Sequence, residues 1–137
     1  MKVGLVACSA RKYDKPMAVE RLYSKSPLFR YAIEYSKRHY NAIYCLSAKH
    51  GLLPLTEVIE PYDESLSDKR KQEAEEWFEK IAKQIKQTIP KGSELYFHTG
   101  LKYRRLIPLL KDHRCFEPMA KMGIGKQLKF YKETLRE

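Results

Sequence analysis

The fold is decided by one stretch of the chain, AIYCLSAKHGLL, which runs from Ala42 to Leu53. Its first five residues are apolar and are typical of a buried strand. The polarity then changes abruptly to a hydroxyl, an ammonium group and an imidazole, at Ser47, Lys49 and His50, before Gly51 lets the backbone turn. Open α/β sheets bind ligands beyond the carboxyl ends of their parallel strands. This stretch therefore predicts such a sheet and a site at its edge.

A second stretch near the start of the chain has the same design. The apolar run KVGLVA, from Lys2 to Ala7, is followed directly by polar residues. If the two strands are parallel neighbours, the residues that follow them meet at one edge of the sheet. We therefore expect a single site built from Cys8, Ser9, Lys12, Ser47, Lys49, His50 and Gly51.

The rest of the pattern extends this sheet. Further strands are predicted at 94–97 and 114–117, and helical periodicity is found at 17–23, 27–39, 67–88, 101–111 and 125–136. The resulting order, β-α-α-β-loop-α-β-α-β-α, predicts one α/β domain over residues 1–137. We expect a three-layer sandwich around a small, mostly parallel four-stranded sheet.

Composition narrows the class of protein. Lys and Arg number 27 against 17 Asp and Glu, and the net charge of +10 implies an anionic or nucleotide-like small molecule, DNA or RNA as partner, or only a basic solvated surface. No apolar run approaches the roughly 18 residues of a membrane span, so we expect a cytoplasmic protein without a membrane partner. Three cysteines, an odd number, argue against a disulfide framework, and their spacing implies no metal or other cofactor.

Cys8 is the sharpest candidate for chemistry, and two interpretations of it stay open. Arg11 and Lys12 are close in sequence, and cations beside a thiol favour the thiolate, which is the nucleophile. The alternative is a small residue packed at the top of the sheet. Lys12 and Lys49 could hold an anion or lie in solvent, and His50 could act as a general acid and base.

Five further positions are weaker candidates for ligand binding. His98 also follows an apolar strand, and Tyr62 either folds back over the site or forms a plain loop tip. A glycine-rich segment opens the last helix at Gly123, Gly125 and Lys126 and could cradle a phosphate on its backbone N–H groups, or be an ordinary helix start.

The chain resembles a family of small bacterial and phage proteins of unknown function. The likeness is carried by CSARK (8–12), LYSKSPLF (22–29), LSAKHGLL (46–53), Pro61-Tyr62 and MGIGKQL (122–128). More remotely, Cys8, Ser9 and Lys12 are similar to a motif in the core domain of archaeosine synthase, which acts on the nitrile of a 7-deazaguanine base in transfer RNA. A weaker likeness runs to the YaaA-like peroxide-stress proteins. These resemblances imply a pocket formed by the strand-end residues.

Three functions remain open on these observations. The first is a small enzyme that acts on a nucleobase, nucleoside or nucleotide, such as a 7-deazaguanine, with Cys8, His50 and Lys12 as its catalytic residues. The second is a non-catalytic module that binds nucleotides or nucleic acid, using tyrosines such as Tyr13, Tyr23 and Tyr103 to stack on bases. The third is a subunit whose turns only support a partner interface. The oligomeric state is not determined by the sequence.

Overall fold

The computed structural model describes residues 1–136, and five of its seven strands form the main sheet. In chain order the strands are β1 (Lys2–Ala7), β2 (Met17–Ala18), β3 (Ala42–Ser47), β4 (Gly51–Pro54), β5 (Val58–Ile59), β6 (Glu94–His98) and β7 (Arg114–Phe116). The main sheet has the order β4-β3-β1-β6-β7, and β2 pairs with β5 in a separate antiparallel ribbon. The protein is therefore a mixed α/β fold with a mostly parallel sheet.

The number of strands corrects the prediction of four. Strands β1, β3, β6 and β7 run parallel, as expected, but β4 turns back from β3 and adds an antiparallel edge strand. The turn is possible because Gly51 adopts φ +79°, in the left-handed region that favours glycine. A Cβ at this position would lie 2.5 Å from the side-chain oxygen of Gln84.

Four α-helices and two 3₁₀ segments cover the sheet. They are α1 (Val19–Leu22), α2 (Pro27–His39), α3 (Lys71–Thr88) and α4 (Ile124–Leu135), with 3₁₀ turns at Leu66–Asp68 and Leu101–Leu109. The hydroxyl of Ser26 accepts a hydrogen bond from the Phe29 N–H and caps α2. The predicted helix at 101–111 is instead a 3₁₀ segment. Pro108 has no N–H to donate in an α-helical hydrogen bond, and its ring would clash with the carbonyl of the preceding turn. Within residues 1–136, no helix combines the length and apolarity needed to cross a bilayer.

Alternate residues of β1 belong to two different apolar clusters. Val3 and Leu5 join the cluster that contains α3 and the Leu101–Leu109 segment, whereas Val6 joins the cluster of α2 and α4. This division follows from the alternation of side chains along a strand. Because β1 is paired in parallel with both β3 and β6, all three strands end at the same edge of the sheet.

Candidate functional site

A cavity of about 450 Å³ opens where β1 and β3 end. Small-molecule sites in proteins commonly enclose about 300–1,000 Å³, so the cavity has room for a compound of that class. Four parts of the chain enclose it, namely the strand ends with the residues that follow them, Tyr23 at the end of α1, the loop around Tyr62 and the start of the Leu101–Leu109 segment. Its polar and aromatic lining comprises Cys8, Ser9, Lys12, Tyr23, Tyr62, Asp63, Glu64, Ser65, Asp68, Lys102 and Tyr103.

Cys8 is the thiol at this edge that ionises most readily. The pKa of Cys8 is lowered because the Cys45 thiol on the neighbouring strand stabilises its thiolate, and the hydroxyls of Tyr23 and Tyr62 add to this effect against the opposing influence of burial. Conversely, the pKa of Cys45 is raised well above its usual range, first by its interaction with Cys8 and then by burial. Cys45 therefore keeps its proton, and the thiolate of the pair forms at Cys8.

Arg11 and Lys12, the cations close to Cys8 in sequence, are not the cause of the lowered pKa of Cys8. Instead of approaching the sulfur, the ammonium group of Lys12 donates to the carbonyl of Ala10 at 3.2 Å, although Lys12 does line the cavity. The backbone N–H of Cys8 donates to the carbonyl of Leu46 at 3.2 Å and fixes the residue against β3. The position of Cys8 was thus predictable, whereas its partners come from residues distant in sequence.

Tyr23 carries an unpaired hydroxyl beside Cys8. Its side chain is only 1% exposed, and its hydroxyl has no hydrogen-bond partner among residues 1–136. Buried polar groups in native proteins are nearly always hydrogen-bonded, so such an exception calls for an explanation. Burial raises the pKa of Tyr23, and the hydroxyl therefore stays protonated. The hydroxyl is close enough to Cys8 and Tyr62 to affect their ionisation but meets the geometry of a hydrogen bond with neither, so it is a buried donor with spare capacity beside the thiol.

Ser47 organises the turn behind Tyr62. Its fully buried hydroxyl accepts hydrogen bonds from the N–H of His50 at 2.9 Å and of Lys49 at 3.3 Å, and it also shares a hydrogen bond with the hydroxyl of Tyr62. The Trp77 indole N–H donates to the Ser47 carbonyl at 3.1 Å. The network places the Tyr62 ring over the cavity.

His50 and Lys49 contact Tyr62 rather than the cavity itself. The imidazole of His50 meets the Tyr62 ring edge-on, with ring centres 5.3 Å apart, and the Lys49 ammonium lies 5.8 Å from the centre of that ring. In the described part of the chain, neither residue belongs to the lining of the three cavities at this edge, and Gly51 serves the backbone turn. The structure thus brings Cys8, Ser9, Lys12 and Tyr62 together at the cavity. The predicted site residues of the turn between β3 and β4, namely Ser47, Lys49, His50 and Gly51, do not line it.

His98 lies at a second cavity, of about 270 Å³, which Cys8 and Ser9 also border. Both nitrogens of its ring are engaged, Nε2 with the Tyr40 hydroxyl and Nδ1 with the Tyr131 hydroxyl, each at 2.6 Å. Burial, with a smaller contribution from His39, lowers the pKa of His98 to about 4. The imidazole is therefore neutral near pH 7 and has no free nitrogen.

The glycine-rich segment at the start of α4 borders a third cavity, also of about 270 Å³. Gly123 lines this cavity, whereas Gly125 and Lys126 are exposed in the first turn of α4. The part of the chain that the structure describes groups no three His, Cys, Asp or Glu side chains closely enough to hold a metal ion.

Several cavity residues were not predicted from the sequence as parts of this site. The sequence suggests Tyr23 and Tyr103 only for stacking on bases, and it does not indicate Lys102 or Asp68 as site residues. Each lies in a segment whose pattern indicates helix or loop, with nothing local to show that it faces Cys8. The proximity arises only when segments distant in sequence pack against the sheet.

The comparison with protein families covers almost the whole chain. A model described as a family of unknown function, DUF6884, matches residues 3–133. The chain belongs to this family. The match extends from β1 into α4, so every residue of the 450 Å³ cavity falls inside the family domain. No curated protein and no solved structure matches the chain. Any account of function must therefore begin from the geometry of the site.

Proposed function

We propose that this protein is a small enzyme that acts on a nucleobase or nucleoside, with Cys8 as its nucleophile. One observation carries the proposal: a thiol with a lowered pKa lies beside the unpaired Tyr23 hydroxyl in a cavity of small-molecule size. Perturbed pKa values and unsatisfied buried donors that converge in one cleft are typical of catalytic sites.

The lining favours a planar, uncharged group over a polyphosphate. Tyr23, Tyr62 and Tyr103 supply aromatic surface and hydroxyl groups, which suit a heterocyclic base. The charged lining residues are two lysines, Lys12 and Lys102, against three acids, Asp63, Glu64 and Asp68. The walls therefore lack the positive excess of the whole chain, and their carboxylates can accept hydrogen bonds from the amino and ring N–H groups of a base.

Nucleic-acid binding by exposed tyrosines receives less support. Tyr23 and Tyr103 are buried at the cavity, and of the three tyrosines considered for stacking only Tyr13 is exposed, at 39%. Lys25 lies over the Tyr13 ring, 4.8 Å from its centre. The hypothesis of a subunit whose turns only support a partner interface also receives less support, because a single chain forms the cavity by itself.

Because a cysteine nucleophile attacks electrophilic carbon, we expect the reaction to begin with the addition of Cys8 to such a carbon in the substrate. The resemblance to archaeosine synthase makes a 7-deazaguanine nitrile the first compound to test. Addition of the Cys8 thiol across the nitrile would form one C–S bond and break one π bond, with the thiol proton passing to the nitrile nitrogen. Hydroxyls of Tyr23 and Tyr62 would bind the developing negative charge on that nitrogen. Lys12 would hold the base from the wall, and His50 would act through Tyr62.

The test is a thermal-shift screen of nucleobases, nucleosides, nucleotides and 7-deazaguanines on wild type, Cys8→Ala and Cys115→Ala. A ligand at about a hundred times its Kd adds about 2.7 kcal/mol to the free energy of unfolding, which raises Tm by several degrees. We expect a shift specific to base or nucleoside that Cys8→Ala alters and Cys115→Ala leaves intact.

The opposite outcome is equally clear. If no small molecule raises Tm while DNA or RNA binds with a strong dependence on salt, the binding-module hypothesis replaces the enzyme. A nitrile substrate should also leave a covalent adduct on Cys8, detected by mass spectrometry of the intact protein. A base-specific shift without any adduct or turnover would reduce the proposal to binding alone.

A further inference from the structure

The three cavities at the carboxyl edge of the sheet meet at one residue, Gly100. The cavity beside Tyr23 shares Cys8 and Ser9 with the cavity at His98, and the latter shares Thr99 and Gln127 with the cavity at Gly123. Gly100 borders all three. Cys8 therefore lines two of the three cavities, and Gly100 is common to all of them.

The meeting point is open space. A Cβ built on Gly100 would meet no heavy atom within 4 Å. The backbone of Gly100, at φ −74° and ψ 170°, is ordinary extended chain that any residue adopts, so backbone geometry does not require a glycine here. A side chain at this position would occupy open space beside a residue that borders all three cavities.

The chemical character of the walls changes from one end to the other. The cavity beside Tyr23 carries five charged side chains. In the third cavity the corresponding surface is formed by apolar residues, Phe97, Leu101, Ile107, Met119, Ala120 and Met122. Its polar lining comprises Thr99, Gln127 and three charged side chains, Arg104, Glu117 and Lys121. Arg104 and Glu117 form an ion pair with each other at 2.8 Å. We call this apolar end the methionine chamber.

Two apolar side chains that border these cavities are also exposed to solvent. Leu101 borders the methionine chamber and is 64% exposed, and Ile124 borders the cavity at His98 and is 66% exposed. Two large apolar side chains left in water beside these cavities are suited to contact with an apolar ligand group.

We propose that the substrate is elongated and amphipathic. Its base-like group occupies the cavity beside Tyr23, its reacting carbon lies at Cys8, and an uncharged apolar arm passes Gly100 into the methionine chamber. The inference rests on the proposed function, because it takes Cys8 as the point of reaction. It adds the class of substrate, a base that carries an alkyl or aryl substituent.

The experiment compares two reagents that alkylate thiols by the same reaction, iodoacetamide and N-hexyl-iodoacetamide. Their second-order rate constants at Cys8 are measured by peptide mapping, and their ratio is divided by the same ratio for N-acetylcysteine amide. Since burial of two or three methylene groups suffices for about a tenfold gain, we expect the hexyl reagent to be favoured at Cys8 by about tenfold.

Two variants locate the arm. Gly100→Leu should abolish the preference for the hexyl reagent, because it should lower the rate with the hexyl reagent more than the rate with iodoacetamide. Met122→Gln, which keeps the length of the side chain and removes its apolar character, should reduce the preference and serves if Gly100→Leu fails to fold. The matched control is Gly125→Leu, because Gly125 also has open space around it and lies outside the linings of all three cavities in the described chain.

Each outcome assigns failure to one proposal. If Cys8 resists both reagents, the proposed function loses its nucleophile. If Cys8 reacts but shows no preference for the hexyl reagent, or if Gly100→Leu and Met122→Gln retain that preference in full, the amphipathic substrate is overturned while Cys8 chemistry stands.

Discussion

The ends of β1 and β6 look alike in the sequence and differ in the folded protein. Each apolar run gives way to a reactive group, Cys8 after β1 and His98 at the end of β6, and the two strands are parallel neighbours. At β6, both ring nitrogens of His98 are held by tyrosine hydroxyls, and the low pKa keeps the ring neutral. At β1, the thiol has a lowered pKa and the adjacent Tyr23 hydroxyl is unpaired within residues 1–136.

This difference shows that a position at the end of a strand identifies a residue only as a candidate for function. Hydrogen bonding then decides what the group can do. A group whose donors and acceptors are all satisfied stabilises the fold, whereas one with spare capacity facing a cavity can bind or react.

The largest effect is expected from His98→Phe. The substitution leaves the hydroxyls of Tyr40 and Tyr131 without their partner, and Tyr131 is only 1% exposed. Stranded buried hydroxyls of this kind should lower the free energy of unfolding by about 2–4 kcal/mol, measured by urea denaturation. His98→Gln, which keeps a donor and an acceptor, should lose less. A loss below about 1 kcal/mol would show that the hydrogen bonds of His98 contribute little to the stability of the fold.

The second effect is a dependence of stability on pH that comes from His98. The folded pKa of about 4 lies below the unfolded value of 6.5, so the unfolded chain takes up a proton first as the pH falls. The contribution of His98 to the free energy of unfolding is complete above pH 6.5 and is lost between pH 6.5 and 4, by about 3 kcal/mol. Urea titrations of wild type and His98→Gln across this range should converge at low pH, and parallel curves would contradict the assignment.

The third effect separates the thiols. Cys8 and Cys115 are both half-buried, but the pKa of Cys8 is lowered while burial and Glu117 raise the pKa of Cys115 to about 11. At about pH 8 we expect iodoacetamide to label Cys8 at least about tenfold faster, after allowance for the higher intrinsic reactivity of the more basic thiolate. Mass spectrometry of each peptide measures the two rates. Equal rates would show that Cys8 is an ordinary thiol.

The smallest effect on stability is expected from Tyr23→Phe. Because this substitution removes a hydroxyl that has no partner in the described chain, it should change the free energy of unfolding by about 1 kcal/mol or less, in the stabilising direction. Tyr131→Phe is the matched control, since Tyr131 is equally buried but its hydroxyl is bonded to His98, and it should destabilise. Tyr23→Phe should also slow the alkylation of Cys8. If both variants destabilise alike, the Tyr23 hydroxyl has a structural partner.

Local sequence patterns were sufficient for the parallel strands and for much of the helical cover. Apolar runs gave β1, β3, β6 and β7, and Ser26-Pro27 marked the start of α2, because a buried strand and a capped helix each leave a signal within a few residues. The antiparallel β4 was missed because Gly51-Leu52-Leu53-Pro54 is too short to distinguish a strand from a loop. The 3₁₀ form of Leu101–Leu109 was missed because its apolar spacing also suits an α-helix.

The sequence by itself determined that this protein has a parallel α/β sheet with Cys8 at its carboxyl edge, since alternation, apolar runs and a change of polarity are local properties. Only the tertiary structure decided that Tyr23, Tyr62 and Cys45 surround that thiol and that Gly100 borders three cavities. The lining of one cavity brings together residues as distant in sequence as Cys8 and Gly100, which are 92 positions apart. Such juxtapositions depend on how helices and loops pack across the sheet, which no window of a few residues encodes.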